Sequence, residues 1–182
     1  MKEEYLGGMI ALTDASFLSP PRSLQSLLPE ASTAIAAGVW PRTFLGNFTA
    51  VHCTVSVQVE RYGADIGTII VLKATSAGVD WSVSLAPEAS RTMFQEPFDT
   101  EYLPALGVGS WTRIGIDVKL GQRTRVTFND ALVNSLATGP AVDAGGATTF
   151  TSVALILGAQ RNNGPNGEWR VDYDDVVCSV DP

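Results

Sequence analysis

Apolar and polar residues alternate with a period of two along most of this chain. The clearest case is V-H-C-T-V-S-V-Q-V-E, where Val51, Cys53, Val55, Val57 and Val59 point one way and His52, Thr54, Ser56, Gln58 and Glu60 the other. β-Branched residues in strict alternation are the pattern of a half-buried strand. The same reading predicts strands over 7–14, 23–28, 66–74 and 81–85, and a short one over 91–95. Residues 31–37 also read as strand, because Thr33, Ile35, Ala37 and Val39 alternate and Gly38 with Pro41 would cut a helix short. From Trp111 a further strand turns Ile114, Ile116, Val118 and Leu120 inward and Arg113, Asp117 and Lys119 outward. Arg123 to Phe128 pairs back on it, and Asn129-Asp130 marks a tight turn before a strand over 131–136. Residues 150–157 are apolar on both faces, and a last strand runs from Trp169 to Pro182. Residues 87–109, 138–148 and 161–167 read as irregular or loop.

Strands about ten residues apart, turn chemistry between them and no amphipathic helix predict an all-β fold, a two-sheet antiparallel sandwich or a barrel. The chain has 182 residues, enough for one sizeable domain, and no linker or repeat divides it. Only 17% of residues are charged against 45% hydrophobic, which places the chain far from disorder. The net charge of −7 with scattered Lys and Arg speaks against nucleic acid and against an anionic membrane surface. No apolar run approaches the ~18 residues of a spanning helix. The start, M-K-E-E-Y-L-G-G-M-I, does not read as a secretory signal.

The second half carries a family resemblance. S-W-T-R-I-G-I-D-V, then T-R-V-T-F-N-D-A-L-V, then S-V-A-L-I-L-G and a closing V-D-Y-D-D-V-V resemble the concanavalin A-like lectin/glucanase superfamily, in particular laminin-G-like domains of bacterial exported proteins. L-S-P-P-R-S-L near the N-terminus is similar to the entry of such domains. The resemblance implies a jelly roll of two antiparallel sheets, one often concave. It also implies an extracellular or cell-envelope location. Sugar binders, adhesion modules and glycan-cleaving enzymes share that fold, so it does not choose among them.

Catalytic signals are sparse. Hydrolysis of a glycoside needs two carboxyl groups about 5 Å or about 6.5–9.5 Å apart. The E-x-D-x-x-E signature of the laminarinase-like relatives is absent, and the nearest acid pairs are Asp99 with Glu101, and Asp172 with Asp174. No G-x-S-x-G elbow is present. His52 is the single histidine, and strand neighbours point to opposite faces, so it forms no dyad with Cys53.

Cys53 and Cys178 share apolar faces with valines, and the segments 51–59 and 169–182 are expected side by side in one sheet. Two outcomes fit: a disulfide, as in an exported protein, or a pair of buried thiols acting as small hydrophobes. The resemblance further implies a structural calcium with Asp174 as ligand and Asp175 beside it. For glycan contact the expected platform is Trp40 and Tyr102, with Arg161, Asn162 and Asn163 adding polar groups. The predicted role is a non-enzymatic glycan-binding, adhesive or accessory module. The rivals are a glycan hydrolase or lyase, and a structural or self-assembling module.

Overall fold

Alternation along the chain becomes strands, and the described residues contain no helix. The structure, a computed structural model, describes residues 2–6, 9–13, 18, 23–29, 36–63, 67–135, 137, 139–140, 149–161 and 167–182; at 2–6, 9, 10, 12, 13, 36–42 and 161 it describes the backbone alone. The strands are β1 (Lys2–Leu6), β2 (Met9–Thr13), β3 (Ser23–Leu28), β4 (Ala36–Phe48), β5 (Ala50–Arg61), β6 (Gly67–Ser76) and β7 (Val79–Pro87). They continue with β8 (Thr92–Gln95), β9 (Thr100–Leu103), β10 (Trp111–Lys119), β11 (Arg125–Phe128), β12 (Ala131–Leu132), β13 (Phe150–Arg161) and β14 (Trp169–Asp181). One seven-stranded sheet has the order β1-β4-β13-β6-β7-β8-β9, and the other β12-β11-β10-β5-β14-β3-β2. Ladder pairings are antiparallel throughout, as between β5 and β10 and between β5 and β14. This is the jelly-roll β-sandwich expected from the sequence.

The inward sets of both sheets form one core. Val51, Cys53, Val55, Val57 and Val59 of β5 and Ile114, Ile116 and Val118 of β10 pack with Ile70 and Leu72 of β6 and Val153, Leu155 and Leu157 of β13. Polar bonds across this core fix how the layers meet. The register of β13 with β6 slips between Leu157 and Gln160, which takes the amides of Gly158 and Ala159 out of the ladder. Buried amides need partners. Tyr173 of β14 reaches across: its hydroxyl donates to Ile69 O at 2.9 Å and accepts from Gly158 N–H at 3.1 Å. Ser26 Oγ of β3 accepts from Ala159 N–H at 2.9 Å.

A second bulge sits in β14. Asp174 pairs with Ser56 and Val177 with Thr54, so three residues of β14 span two of β5, and Asp175 takes a left-handed φ of 47°. One extra residue inverts the facing of everything beyond it. Before the bulge Trp169, Val171 and Tyr173 are buried inward and Asp172 and Asp174 take the other face. After it Cys178 turns inward, in register with Cys53, and the two form a disulfide. Without the bulge Cys178 would share the face of Asp172 and Asp174.

Some elements differ from expectation. β4 runs through Pro41 to Phe48, far beyond the expected 31–37, and residues 31–35 lie outside the described set. β1 was not expected, and β9 lies within the stretch expected to be irregular. The strand expected over 131–136 is two residues long.

Candidate functional site

Each side of a sheet takes every second residue, so the face of β5 opposite the core carries His52, Thr54, Ser56, Gln58 and Glu60. Register builds rows across it. Trp111 of β10 stands opposite Gln58, Arg113 opposite Ser56, Gly115 opposite Thr54 and Asp117 opposite His52. On the other flank β14 sets Asp172 opposite Gln58, Asp174 opposite Ser56, Val177 opposite Thr54 and Ser179 opposite His52.

A cavity of about 600 Å³ opens on the middle of this face. Thr54, Ser56, Trp111, Arg113, Asn129, Asp175, Val177 and Leu18 line it. Each is there for a local reason. Asn129 and Asp130, with φ of 49° and 67°, form the two-residue turn between β11 and β12. Asn129 Oδ1 accepts the Arg113 N–H at 2.9 Å and its own N–H donates to Arg113 O at 2.8 Å, which fixes the turn against β10. The bulge carries Asp175 and Val177 to the rim. Beneath them Asp174 is buried, its Oδ2 accepting Leu18 N–H and its Oδ1 accepting Asp175 N–H, at 2.9 and 2.8 Å. Gly115 stands opposite Thr54, and a Cβ there would run into Thr127 Oγ1. Trp111 is half-buried, an aromatic wall beside an exposed Arg113.

Beyond the cavity the single histidine is held between two carboxylates. His52 Nδ1 lies 3.0 Å from Asp117 Oδ1 and Nε2 lies 3.1 Å from Asp181 Oδ2. The bond to Asp117, opposed by partial burial and reinforced by Asp181, raises the His52 pKa above its usual 6.5. Each ring nitrogen already faces a carboxylate, so neither is open to take a proton from a ligand in the cavity. The buried Tyr173 phenol is pushed up by desolvation, as is Tyr62, to about 12, and neither lines the cavity.

Asp175, expected beside a metal, lines this cavity, whereas the described positions among the expected glycan contacts belong to the other sheet. Tyr102 lies in β9 of the opposite sheet, exposed, with the Arg91 guanidinium 3.8 Å from its ring centroid. Trp40 is in β4 and Arg161 ends β13, also in that sheet, with only their backbones described. Asn162 and Asn163 lie outside the described residues. Of the acids weighed, Glu101 Oε1 accepts from Ser135 N–H and Oγ–H at 2.7 and 2.9 Å, a structural tie. Asp172 Oδ1 accepts from Gln25 Nε2 at 2.9 Å.

Calcium takes six to eight oxygens. Both Asp174 oxygens already accept backbone amides, and the described residues contain no group of three acidic, His or Cys side chains placed to hold a metal. The signal for Trp111 was present in the sequence: it shares the parity of Arg113 and Asp117, opposite to Ile114 and Ile116.

No family profile matches this sequence, and no curated protein does. Solved structures do match. Over 95% of this chain and 86% of the other, the fold superposes on the cellulose-induced protein Cip1 with a TM-score of 0.65 at 14% identity. Alginate lyase A1-II′, a member of polysaccharide lyase family 7, gives 0.66 at 12% identity over 87% and 80% of the two chains. Alginate lyase AlgAT5 of the same lyase family gives 0.62 at 8% identity over 88% and 79%. At these identities the likeness is one of fold, the jelly-roll sandwich.

Proposed function

We propose that this chain is an exported, laminin-G-like β-sandwich domain that binds a polysaccharide on the outer face of the β5–β10–β14 sheet without cleaving it. The observation that carries the reading is the cavity itself. An aromatic wall at Trp111, a guanidinium at Arg113, a carboxylate at Asp175 and hydroxyls at Thr54 and Ser56 converge in one open depression. Flat aromatic surface with a few converging polar groups is how a site takes a ligand that is apolar on its faces and hydroxylated at its edges. The polysaccharide-acting neighbours on the same fold support the ligand class by analogy.

Binding is favoured over cleavage by the chemistry of the lining. Among the described lining residues Asp175 is the one acid, where glycoside hydrolysis uses two. Elimination would need a proton acceptor, and His52 is tied between Asp117 and Asp181. Export is supported by the Cys53–Cys178 disulfide, which belongs to an oxidising compartment.

The test is a glycan array run with and without calcium, followed by incubation of each bound polysaccharide with the protein. Binding without new reducing or unsaturated ends is expected. Release of such ends would replace the binding reading with a hydrolase or lyase, and calcium-dependent binding would restore a metal role for Asp174 and Asp175.

A further inference from the structure

We infer that the chain bound on this face is an uncharged polysaccharide, and that polyuronates and sulfated glycans are turned away from it. The inference rests on the glycan reading above and concerns the ligand's charge. Three observations carry it.

The first is the sign of the groups on the face. Asp175 stands at the rim with Asp174 directly beneath it. Asp117 and Asp181 follow one row and two rows beyond the Thr54–Val177 row. A polyuronate brings a carboxylate on every sugar, and each would need a cation to offset desolvation and repulsion.

The second is that the cations nearest the cavity stand beside carboxylates, while the exposed Lys119 lies two rows beyond the Thr54–Val177 row, in the row of Asp181. Arg113, the one basic side chain among the described lining residues, has Asp130 3.8 Å from its Nη1. His52 is bound on both sides by aspartates. Arg170, on the same face beyond Gln58, lies 3.1 Å from Glu168 and 3.5 Å from Glu60. Arg125 stands opposite Asp117 in the β10–β11 register. The whole chain adds a net charge of −7, which repels polyanions at low salt.

The third is the composition of the depression. Thr54 and Ser56 present hydroxyls, Asp175 accepts and Arg113 donates, while Trp111, Val177 and Leu18 supply apolar wall. This pairs both halves of sugar hydroxyl groups with neighbours and gives the ring faces a surface. Charge on the sugar would be surplus to every contact.

The experiment uses calorimetry and affinity electrophoresis on the full, oxidised chain. The probes are soluble mixed-linkage glucan, xylan, galactomannan, alginate and polygalacturonate, each at low and high salt. Binding to at least one neutral chain is expected, changing less than about twofold with salt, with no binding to the two uronates. Asp175→Asn, a residue type that tolerates the left-handed backbone, should weaken the neutral ligand about tenfold, the loss of one charged hydrogen bond. Trp111→Ala should do at least as much. Because Trp111 is half-buried, exposed Arg113→Ala serves as the second variant, with an expected loss of the same order. A uronate bound more tightly than every neutral chain, with affinity falling as salt rises, would overturn the inference and leave the glycan reading standing. Neutral binding untouched by all three variants would remove it from this face. Binding to no polysaccharide at all would defeat the glycan reading, and this inference with it.

Discussion

His52 shows how a residue acquires a role from its cross-strand neighbours. Its partners are distant in sequence, Asp117 by 65 positions and Asp181 by 129, and register alone brings them together. The two carboxylates favour the imidazolium, so the native pKa lies above 6.5. Stability from this cluster is therefore fully present below pH 6.5 and is lost as pH rises through the native pKa. The three side chains are 44%, 45% and 58% exposed, so solvent screening holds the contribution below about 1 kcal/mol. As the only histidine, it gives one clean imidazole titration by NMR. A midpoint above 6.5 is expected, moving down in Asp117→Asn; a midpoint at or below 6.5 would mean the clamp does not form in solution. Alternation was enough to place His52 outward and away from Cys53. It could not supply the aspartates, because nothing local encodes which strand lies alongside. The same limit applies to Trp111, which the expected platform of Trp40 and Tyr102 does not include. Tyr102 and Trp111 were both legible as aromatics near solvent, but only the pairing of β10 between β5 and β11 sets Trp111 beside a depression.

The two bulges show the element scale at work. In β14 a single added residue lets one strand do two things that strict alternation forbids: present Asp172 and Asp174 to one face and Cys178 to the other. Deleting Asp175 removes the extra residue, so unbroken alternation from Asp174 opposite Ser56 should still set Val177 opposite Thr54 and Cys178 opposite Cys53. No titratable thiol is then expected in the denatured, unreduced protein, as in the parent chain, and loss of the disulfide would refute this account of the bulge. In β13 the register slip is tolerated because Tyr173 and Ser26 meet the displaced amides. Tyr173→Phe keeps the ring but strips the partner from Gly158 N–H and Ile69 O. A loss of about 1–3 kcal/mol is expected, read as a lower denaturant midpoint at unchanged slope. Regular strands such as β5 and β10 were legible because one face is buried and the other wet. β4 beyond Pro41 was not. Thr43 and Leu45 are exposed, Leu45 to 78%, while Phe44 and Phe48 are only half-buried, so burial leaves little imprint on its sequence. β9 is four residues at a sheet edge, too short to show a period. The bulges themselves were illegible, since D-D-V-V-C-S-V reads equally well in either phase.

At the scale of the molecule, the last strand is laid between β3 and β5, in the interior of its sheet, so the final segment of chain closes the sandwich. The disulfide joins that segment to β5 across 125 positions of sequence. A cross-link of this span removes much of the freedom of the unfolded chain, about 4–5 kcal/mol in the loop-closure account. The ladder of β14 with β5 and the bonds of Tyr173 hold the native strand in place without it, so the reduced protein should still fold. Reduction, or Cys53→Ser with Cys178→Ser, is therefore expected to lower the unfolding free energy by about 2–5 kcal/mol while leaving the far-ultraviolet circular dichroism unchanged. Against the ~5–15 kcal/mol of an ordinary domain this is a large share, and it is lost wherever thiols are kept reduced. Guanidinium titrations with and without reductant measure it directly. Coincident curves would mean that the sandwich is closed by its hydrogen-bonded seam alone, and the structural argument for an oxidising compartment would fall with the disulfide's contribution.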